Sequence, residues 1–321
     1  MEQQHFELTT SDGQRLFVRQ WLPPAPVATA QILHGIAEHG GRYDHLARRL
    51  AAAGFAVYAH DQRGHGRTAG DRSRAGFVAA SGGAERLIAD AHLVRQHIRA
   101  RHAGLPHALI GHSMGSLLAQ RYAIEHGNEL NALALSATDF RPDPMPRLGR
   151  RLANTLARLY GPEHRSALLD FLALGRVRRK LPNQRTRYDW LSRDQSIVDA
   201  YIADPLCGFV PTVALWRDVF DVVIFNGRRH NQARVPKTLP ILLMVGEMDM
   251  LSGGGRHVRQ LAQRYRALGI ADVTLRTYPE ARHEIFNELN RDEICGELLR
   301  WLRDRLGLEP VTASVGAATS M

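Results

Sequence analysis

The most chemically informative feature of the chain is the segment Gly111-His112-Ser113-Met114-Gly115, which follows the apolar run Ala108-Leu109-Ile110. The pattern G-x-S-x-G between a short buried strand and a helix is typical of a nucleophile elbow, although the pentapeptide alone also occurs by chance. The turn is so tight that only small residues fit beside the nucleophile, and it exposes the serine hydroxyl at the top of a sheet. It also leaves the amide N–H of Met114 at a helix N-terminus, facing a developing oxyanion.

A nucleophilic serine needs a general base, and the base needs an acid that orients it. After a nucleophile elbow these follow in the order serine, acid, histidine. The apolar run 239–245 predicts a buried parallel strand and is followed by Asp249, while the β-rich run 273–278 is followed by His283. Because the carboxyl ends of parallel strands share one edge of a sheet, Ser113, Asp249 and His283 are predicted to converge there. Glu247 is the alternative for the acid, although Asp249 lies farther past the strand.

These three residues predict acyl-transfer chemistry. His283 would take the proton of Ser113 and return it to the leaving group, while Asp249 fixes the imidazole tautomer. An oxyanion hole needs a second backbone N–H from a loop after an early strand. Gly35 lets the backbone turn inward after the run 30–33, which makes the N–H of Ile36 the predicted donor. An ordinary glycine turn is the alternative.

Four segments taken together resemble the monoglyceride lipase/lysophospholipase family of α/β hydrolases. They are HGIAEHGGRY at 34–43, DQRGHG at 61–66, GHSMG at 111–115 and HEIFNE at 283–288. The resemblance covers roughly residues 5–305. It implies Ser113, Asp249 and His283 as the catalytic residues and the amides of Ile36 and Met114 as oxyanion donors. Monoglyceride lipases usually carry glycine where this chain has Ala37, and this departure favours the bacterial lysophospholipase-like branch.

Two other segments resemble motifs of different chemistry. Gly64-His65-Gly66 follows a predicted strand as a dinucleotide fingerprint would, but no helix opens at Gly66 and 68–83 reads as loop. In the family this loop is structural. The segment from His283 to Asn287 falls one residue short of a zinc-binding H-E-x-x-H helix. We therefore expect neither a metal nor a cofactor.

The alternation of strands and helices predicts an α/β fold with a mostly parallel, doubly wound sheet. An opening hairpin precedes it, with strands near 6–9 and 15–21. The alternation of predicted strands and helices stops after residue 136 and resumes near 237. We therefore predict a hydrolase core formed by 1–136 and 237–306, an inserted, mainly helical cap at 137–236 (below, the insertion) and a disordered tail at 307–321.

Composition is that of a globular enzyme. The 321 residues are 44% hydrophobic, enough for a sizeable core, and no stretch approaches the roughly 18 apolar residues of a membrane span. The polar start lacks the apolar core of a signal peptide. Cys207 and Cys295 are the two cysteines, so no disulfide framework is implied and a cytoplasmic location is expected. The sequence predicts no oligomeric state.

Positive charge concentrates in the insertion, within a chain of net charge +10. Between residues 147 and 187 there are eleven Lys or Arg and two acids, a balance of +9. The stretch around 147–159 predicts a helix with arginines on one side and leucines on the other. Such a helix either lies on a lipid surface, which for this protein would be the inner membrane surface or a micelle, or packs on its own protein. A second cluster, 176–180, could attract anionic substrates. No aromatic stacking platform accompanies the charge, so nucleic acid is not an expected partner.

The segment 198–206 resembles the family segment that lines the alcohol side of the pocket, which makes Tyr201 a candidate substrate-binding residue. Glu38 and Arg42, in the loop after His34, are further candidates. Leu174, Phe209, Val210 and Leu215 could line an acyl tunnel.

The predicted function is a serine carboxylic-ester hydrolase acting on single-chain lipid esters, either lysophospholipids or monoacylglycerols. The alternatives are a small-ester esterase, an amide or peptide hydrolase of the same fold, and a non-catalytic ligand-binding protein.

Overall fold

The fold is described by a computed structural model for residues 2–140, 144–175 and 184–309. Eight strands form one sheet: β1 (Gln4–Thr9), β2 (Arg15–Trp21), β3 (Ala28–Leu33), β4 (Phe55–His60), β5 (His107–His112), β6 (Ala132–Ser136), β7 (Ile241–Gly246) and β8 (Val273–Tyr278). Their spatial order is β1-β2-β4-β3-β5-β6-β7-β8. The pairs β1–β2 and β2–β4 are antiparallel, and every later pair is parallel.

The central strands are buried along their whole length, as expected for parallel strands that are covered on both faces. The helices are α1 (Asp44–Ala52), α2 (Gly83–Arg101), α3 (Met114–His126), α4 (Met145–Tyr160), α5 (Ala167–Asp170), α6 (Gln195–Ala203), α7 (Val213–Gly227), α8 (Arg229–Gln232), α9 (Arg256–Ala267) and α10 (Arg291–Arg305). The buried faces of α1 and α10 pack on one side of the sheet, and those of α2, α3 and α9 pack on the other. This arrangement confirms the predicted doubly wound α/β hydrolase fold.

The carboxyl ends of the parallel strands carry the three predicted catalytic residues. Ser113 directly follows β5, Asp249 lies in the loop after β7, and His283 lies in the loop after β8. One edge of the sheet therefore gathers side chains that are far apart in the sequence.

Helices α4 to α8 all lie between β6 and β7 in the chain, which places them within the insertion. A short π-helical turn, Phe171–Gly175, follows α5. The basic cluster 176–180 lies outside the described residues, as do residues 310–321 of the predicted tail. Every helix within the described ranges is too short or too polar to span a lipid bilayer.

The loop after β4, which resembles a dinucleotide fingerprint, is held by internal hydrogen bonds. The Asp61 carboxylate accepts from the backbone N–H of Gly40 at 2.9 Å and of Arg67 at 2.8 Å, and it pairs with Arg19. Arg63 pairs with Asp90 and Asp12. These contacts tie the loop to β2, to the loop after β3 and to α2.

Candidate active site

The turn around Ser113 has the strained backbone that the elbow motif predicts. Ser113 has φ 51° and ψ −120°, a region that residues other than glycine rarely occupy. A Cβ on Gly115 would fall against the carbonyl oxygen of Leu33, and a Cβ on Gly111 would meet the backbone of Gly115 at 2.5 Å. Glycine is therefore required on both sides of the serine, because β5, β3 and α3 approach one another closely there.

The three predicted side chains form a continuous hydrogen-bonded chain. Ser113 Oγ lies 2.9 Å from His283 Nε2, and His283 Nδ1 lies 3.1 Å from Asp249 Oδ1. Asp249 and His283 are buried. The alternative acid, Glu247, lies 3.8 Å from Arg259 instead. The geometry permits His283 to accept a proton from Ser113 while Asp249 holds the opposite ring nitrogen.

Burial and neighbouring charges shift the pKa values of His283 and Asp249 in opposite directions. Burial disfavours a protonated His283, but the carboxylates of Asp249, Glu284 and Glu38 together outweigh it and raise the pKa of His283 above its ordinary value. Burial likewise acts to raise the pKa of Asp249, yet the neighbouring His283 holds it below its usual range. Asp249 is therefore ionised and stabilises the imidazolium that forms when His283 takes a proton.

The two predicted oxyanion donors flank Ser113. Met114 is the first residue of α3, and Ile36 lies in the loop after β3. Neither amide N–H donates to an acceptor within the described ranges. Both residues line a cavity together with Ser113 and His283. Two unengaged backbone donors beside a serine hydroxyl suit a developing oxyanion.

Glu38 and Arg42 hold the loop that carries Ile36. The Glu38 carboxylate accepts from Gly35 N–H at 2.5 Å and from Arg42 Nη1 at 2.5 Å. Arg42 also forms a bidentate pair with Glu284, at 2.6 and 2.7 Å. Burial raises the pKa of Glu38, whereas in Glu284 the Arg42 charge overcomes burial and lowers the pKa to about 2. The three side chains link the oxyanion loop to the residue that follows His283.

The hydroxyl of Tyr201 contacts the same loop. It donates to the carbonyl oxygen of Ala37 at 2.9 Å, and the backbone N–H of Gly208 donates to that oxygen at 2.9 Å as well. Ala37 has φ 57°. Two hydrogen bonds from the insertion therefore hold an alanine in a conformation that favours glycine.

Sequence reasoning missed two residues at this site, Glu284 and Trp190. The indole of Trp190 packs against the His283 ring with centroids 5.0 Å apart. The carbonyl oxygens of Trp190 and Leu191 accept from the N–H groups of His283 and Glu284, at 3.4 and 2.7 Å. The position of Glu284 beside the predicted base was a usable signal. Trp190 is 93 residues from His283 in the sequence, and no local pattern marks it.

Two cavities meet at Ser113. The larger, of about 300 Å³, has mostly aliphatic and aromatic walls contributed by α4, α5, α7 and the π-helical turn. The smaller, of about 40 Å³, is lined by the oxyanion loop, by Glu38 and Glu284, and by Tyr188, Trp190 and Tyr201. Of the four candidate tunnel residues, Leu174 lines both cavities and Phe209 lines the smaller one. Leu215 packs in the core instead, against residues of the layer formed by α2, α3 and α9.

Within the part of the chain that the structure describes, two side-chain groups have the composition of metal sites, but their geometry is unfavourable. The rings of His92 and His126, beside Glu129, stack at 4.2 Å and 14°, so their in-plane lone pairs do not converge. The other group consists of His39, Asp204 and Cys207. In it, Nδ1 of His39 accepts a hydrogen bond from Gly41 N–H. A neutral His39 therefore carries its proton on the nitrogen that faces Asp204. Cys207 is a buried free thiol, as is Cys295.

Comparison with known proteins gives the family of the chain. The hydrolase family described as serine aminopeptidase, S33, matches residues 24–290. The chain belongs to this family. Among its relatives, the human monoglyceride lipase is 30% identical over 97% of this chain and 92% of its own length. The monoacylglycerol lipase of Mycolicibacterium smegmatis is 29% identical over 92% of this chain and 95% of its own length.

A solved structure of an esterase is similar to this chain along nearly its whole length. A thermostable carboxyl esterase from Bacillus coagulans, in complex with glycerol, superposes with a TM-score of 0.86 and 27% identity over 95% of this chain and 99% of that one. The resemblance to monoglyceride lipase-like α/β hydrolases is thereby confirmed.

Proposed function

We propose that the protein is a serine carboxylic-ester hydrolase that cleaves monoacylglycerols through an acyl-Ser113 intermediate. The observation that carries the proposal is the alignment of Ser113, His283 and Asp249 at 2.9 and 3.1 Å, beside two backbone donors that have no acceptor among the described residues. His283 removes the serine proton as Ser113 attacks the ester carbonyl, and the amides of Ile36 and Met114 stabilise the oxyanion. His283 protonates the departing alcohol and then activates the water that hydrolyses the acyl-enzyme.

The two cavities suggest where each part of the substrate binds, with the ester bond at Ser113. The larger cavity has walls of leucine, tryptophan and phenylalanine, which suit an acyl chain. The smaller one has polar residues on its walls and, at about 40 Å³, room for roughly three or four water-sized groups. The alcohol portion of the ester therefore occupies the smaller cavity. The glycerol bound to the Bacillus coagulans esterase is an alcohol of this kind.

The smaller cavity favours an uncharged alcohol over a phosphate-bearing one. Among the described residues that line it there is no lysine or arginine, and Glu38 and Glu284 together carry two carboxylates against the single guanidinium of Arg42 with which both pair. A phosphodiester headgroup would meet this charge with no cation in contact. This reasoning selects monoacylglycerols from the two substrates that the sequence left open, against the expectation from Ala37.

The family description raises aminopeptidase activity as a second candidate. A substrate amine needs an unpaired carboxylate in the pocket. Both carboxylates at the smaller cavity are already paired with Arg42. This pairing favours ester over peptide substrates.

A panel of substrates tests the proposal, each beside a Ser113→Ala variant. We expect hydrolysis of monoacylglycerols with medium and long chains, weaker hydrolysis of the matching lysophosphatidylcholines, and a loss of roughly 10⁴- to 10⁶-fold in the variant. Preference for the lysophospholipid would overturn the substrate assignment. Preference for two-carbon p-nitrophenyl esters over long-chain ones would exclude the larger cavity as an acyl site. Amino-acid anilides, if cleaved faster than esters, would establish the aminopeptidase alternative.

We also propose that the mouth of the larger cavity rests on a lipid surface. Exposed apolar residues cluster in and near α4 and α5: Met145, Leu148, Leu159, Tyr160, Leu168, Phe171 and Leu172. Three of them, Met145, Leu148 and Leu172, also line the larger cavity. Contiguous apolar residues at the rim of a cavity are typical of interaction sites, and the arginines of α4 suit anionic headgroups.

A further inference from the structure

The hydrogen bonds of the four indole N–H groups divide the tryptophans into two pairs. Trp21 donates to Asp44 Oδ1 at 2.9 Å, and Trp301 donates to Thr274 Oγ1 at 3.2 Å. The Nε1 atoms of Trp190 and Trp216 are buried and have no acceptor within residues 2–140, 144–175 and 184–309. Because an unpaired buried N–H is costly, native proteins rarely retain one without a reason.

Both unpaired indoles lie at the candidate active site, one on each side of Ser113. Trp190 is 7% exposed and lines the smaller cavity, whereas Trp216 is 4% exposed and lines the larger one. The Trp190 indole also packs on the His283 ring. The Trp190 side chain is therefore next to the base that serves the leaving alcohol.

The tyrosine hydroxyls on the same wall are already engaged as donors. Tyr201 donates to Ala37, and Tyr188 donates to the carbonyl oxygen of Gly208 at 3.1 Å. The carboxylates of Glu38 and Glu284 can only accept when ionised. An alcohol that enters this cavity thus finds acceptors already present, and Trp190 supplies a donor.

We propose that Trp190 determines alcohol specificity: its indole N–H donates to a hydroxyl oxygen of the alcohol portion of the ester. The inference rests on the proposed function and deepens it. An ester of a polyol pairs this N–H, whereas an ester of a simple alkanol leaves it unpaired. The structure assigns no such role to Trp216, whose neighbours in the larger cavity are mostly apolar.

The test compares two esters with the same acyl chain, 1-decanoylglycerol and propyl decanoate. The substitution Trp190→Phe retains an aromatic ring beside His283 and removes the N–H. We expect the ratio of kcat/KM for the glyceryl ester to that for the propyl ester to fall about three- to tenfold, the usual effect of one neutral hydrogen bond. Both rates come from one protein sample, so the ratio does not depend on the fraction that folds.

Trp216→Phe is the matched control, since it removes the other unpaired indole N–H. We expect its ratio to equal that of the wild type, whatever the variant does to both rates. An unchanged ratio in Trp190→Phe would overturn the inference, and so would an equal fall in both variants. Wild-type protein that cleaves neither ester would instead overturn the proposed function, so the two failures are distinguishable.

Discussion

Two series of hydrogen-bonded residues meet at and beside His283, and they have different roles. One runs from Ser113 through His283 to Asp249 and would move a proton in the proposed reaction. The other runs from Gly35 through Glu38 and Arg42 to Glu284, and it fixes the loop and the base relative to each other. Glu284 contributes negative charge that adds to that of Asp249 in raising the pKa of His283. Glu284 is thus a positioning residue with an electrostatic effect on the base.

Substitution of Glu284 by glutamine should shift the pH dependence of the reaction. His283 acts as a base only when neutral, so kcat/KM falls as the pH drops through its raised pKa. Removing the Glu284 charge lowers that pKa, and the acid limb of the profile should move to lower pH. Measurement of kcat/KM from pH 5 to 9 on one monoacylglycerol checks this.

Glu280→Gln is the control, because Glu280 is exposed and lies three residues before His283 in the same loop. Its acid limb should match that of the wild type. A purely structural role for Glu284 would lower the rates at every pH and leave the midpoint of the limb in place.

At the level of the elements, the sequence was informative wherever a strand end carries a motif. The apolar runs predicted β5 and β7, and the rule that strand ends share one edge predicted the neighbourhood of Ser113, Asp249 and His283. The sheet order, with β4 between β2 and β3, was not predicted, since pairing depends on contacts distant in sequence. For the same reason the pair Arg42–Glu284, separated by 242 residues, left no sequence signal.

Helix α4 shows what the spacing of apolar residues in the sequence can predict and what it leaves open. The alternation of arginines and leucines predicted an amphipathic helix but left two destinations for its apolar face. In the structure, Leu152 and Leu156 are half-buried against a cluster that includes Trp216, while Leu148 and Leu159 are 53% and 68% exposed. The helix therefore packs on its own protein along part of its apolar face and leaves the rest at the surface.

Lipid binding is tested by replacing two leucines at the mouth of the larger cavity. The double variant Leu148→Gln, Leu172→Gln should bind vesicles of mixed phosphatidylglycerol and phosphatidylcholine roughly tenfold more weakly, because it removes apolar area that would enter the interface. Cosedimentation measures the partitioning. Leu289→Gln, at a leucine elsewhere that is more exposed than either of these two, should bind as the wild type does. Equal binding by the double variant would contradict a lipid-facing mouth.

For the whole molecule, buried histidines set the response to acid. Burial lowers the pKa of His60 and of His65 to about 4 and that of His112 to about 3. Above pH 6.5 these imidazoles are neutral in both the folded and the unfolded chain. Below it, the unfolded chain takes up protons that the folded one refuses, so the free energy of unfolding decreases as the pH falls from 6.5 towards 4.

A substitution at His60 tests this explanation of the loss of stability in acid, since neither ring nitrogen of His60 has a hydrogen-bond partner among the described residues. Replacement by leucine should make the protein less sensitive to acid. Relative to pH 7.5, the variant should lose about 2 kcal/mol less stability at pH 5 than the wild type. Denaturant unfolding at the two pH values measures the difference. The exposed His230→Leu variant should keep the wild-type dependence, and a His60→Leu variant that does the same would contradict the explanation.

The central claim is that Ser113 carries the acyl group during turnover. Rapid acid quenching of the protein with a monoacylglycerol, followed by mass spectrometry of its peptides, measures this most directly. We expect the mass of the acyl chain on the peptide that contains Ser113, and no such adduct in the Ser113→Ala variant. Hydrolysis of the ester by the Ser113→Ala variant at the wild-type rate, or an acyl group on a different residue, would contradict the account.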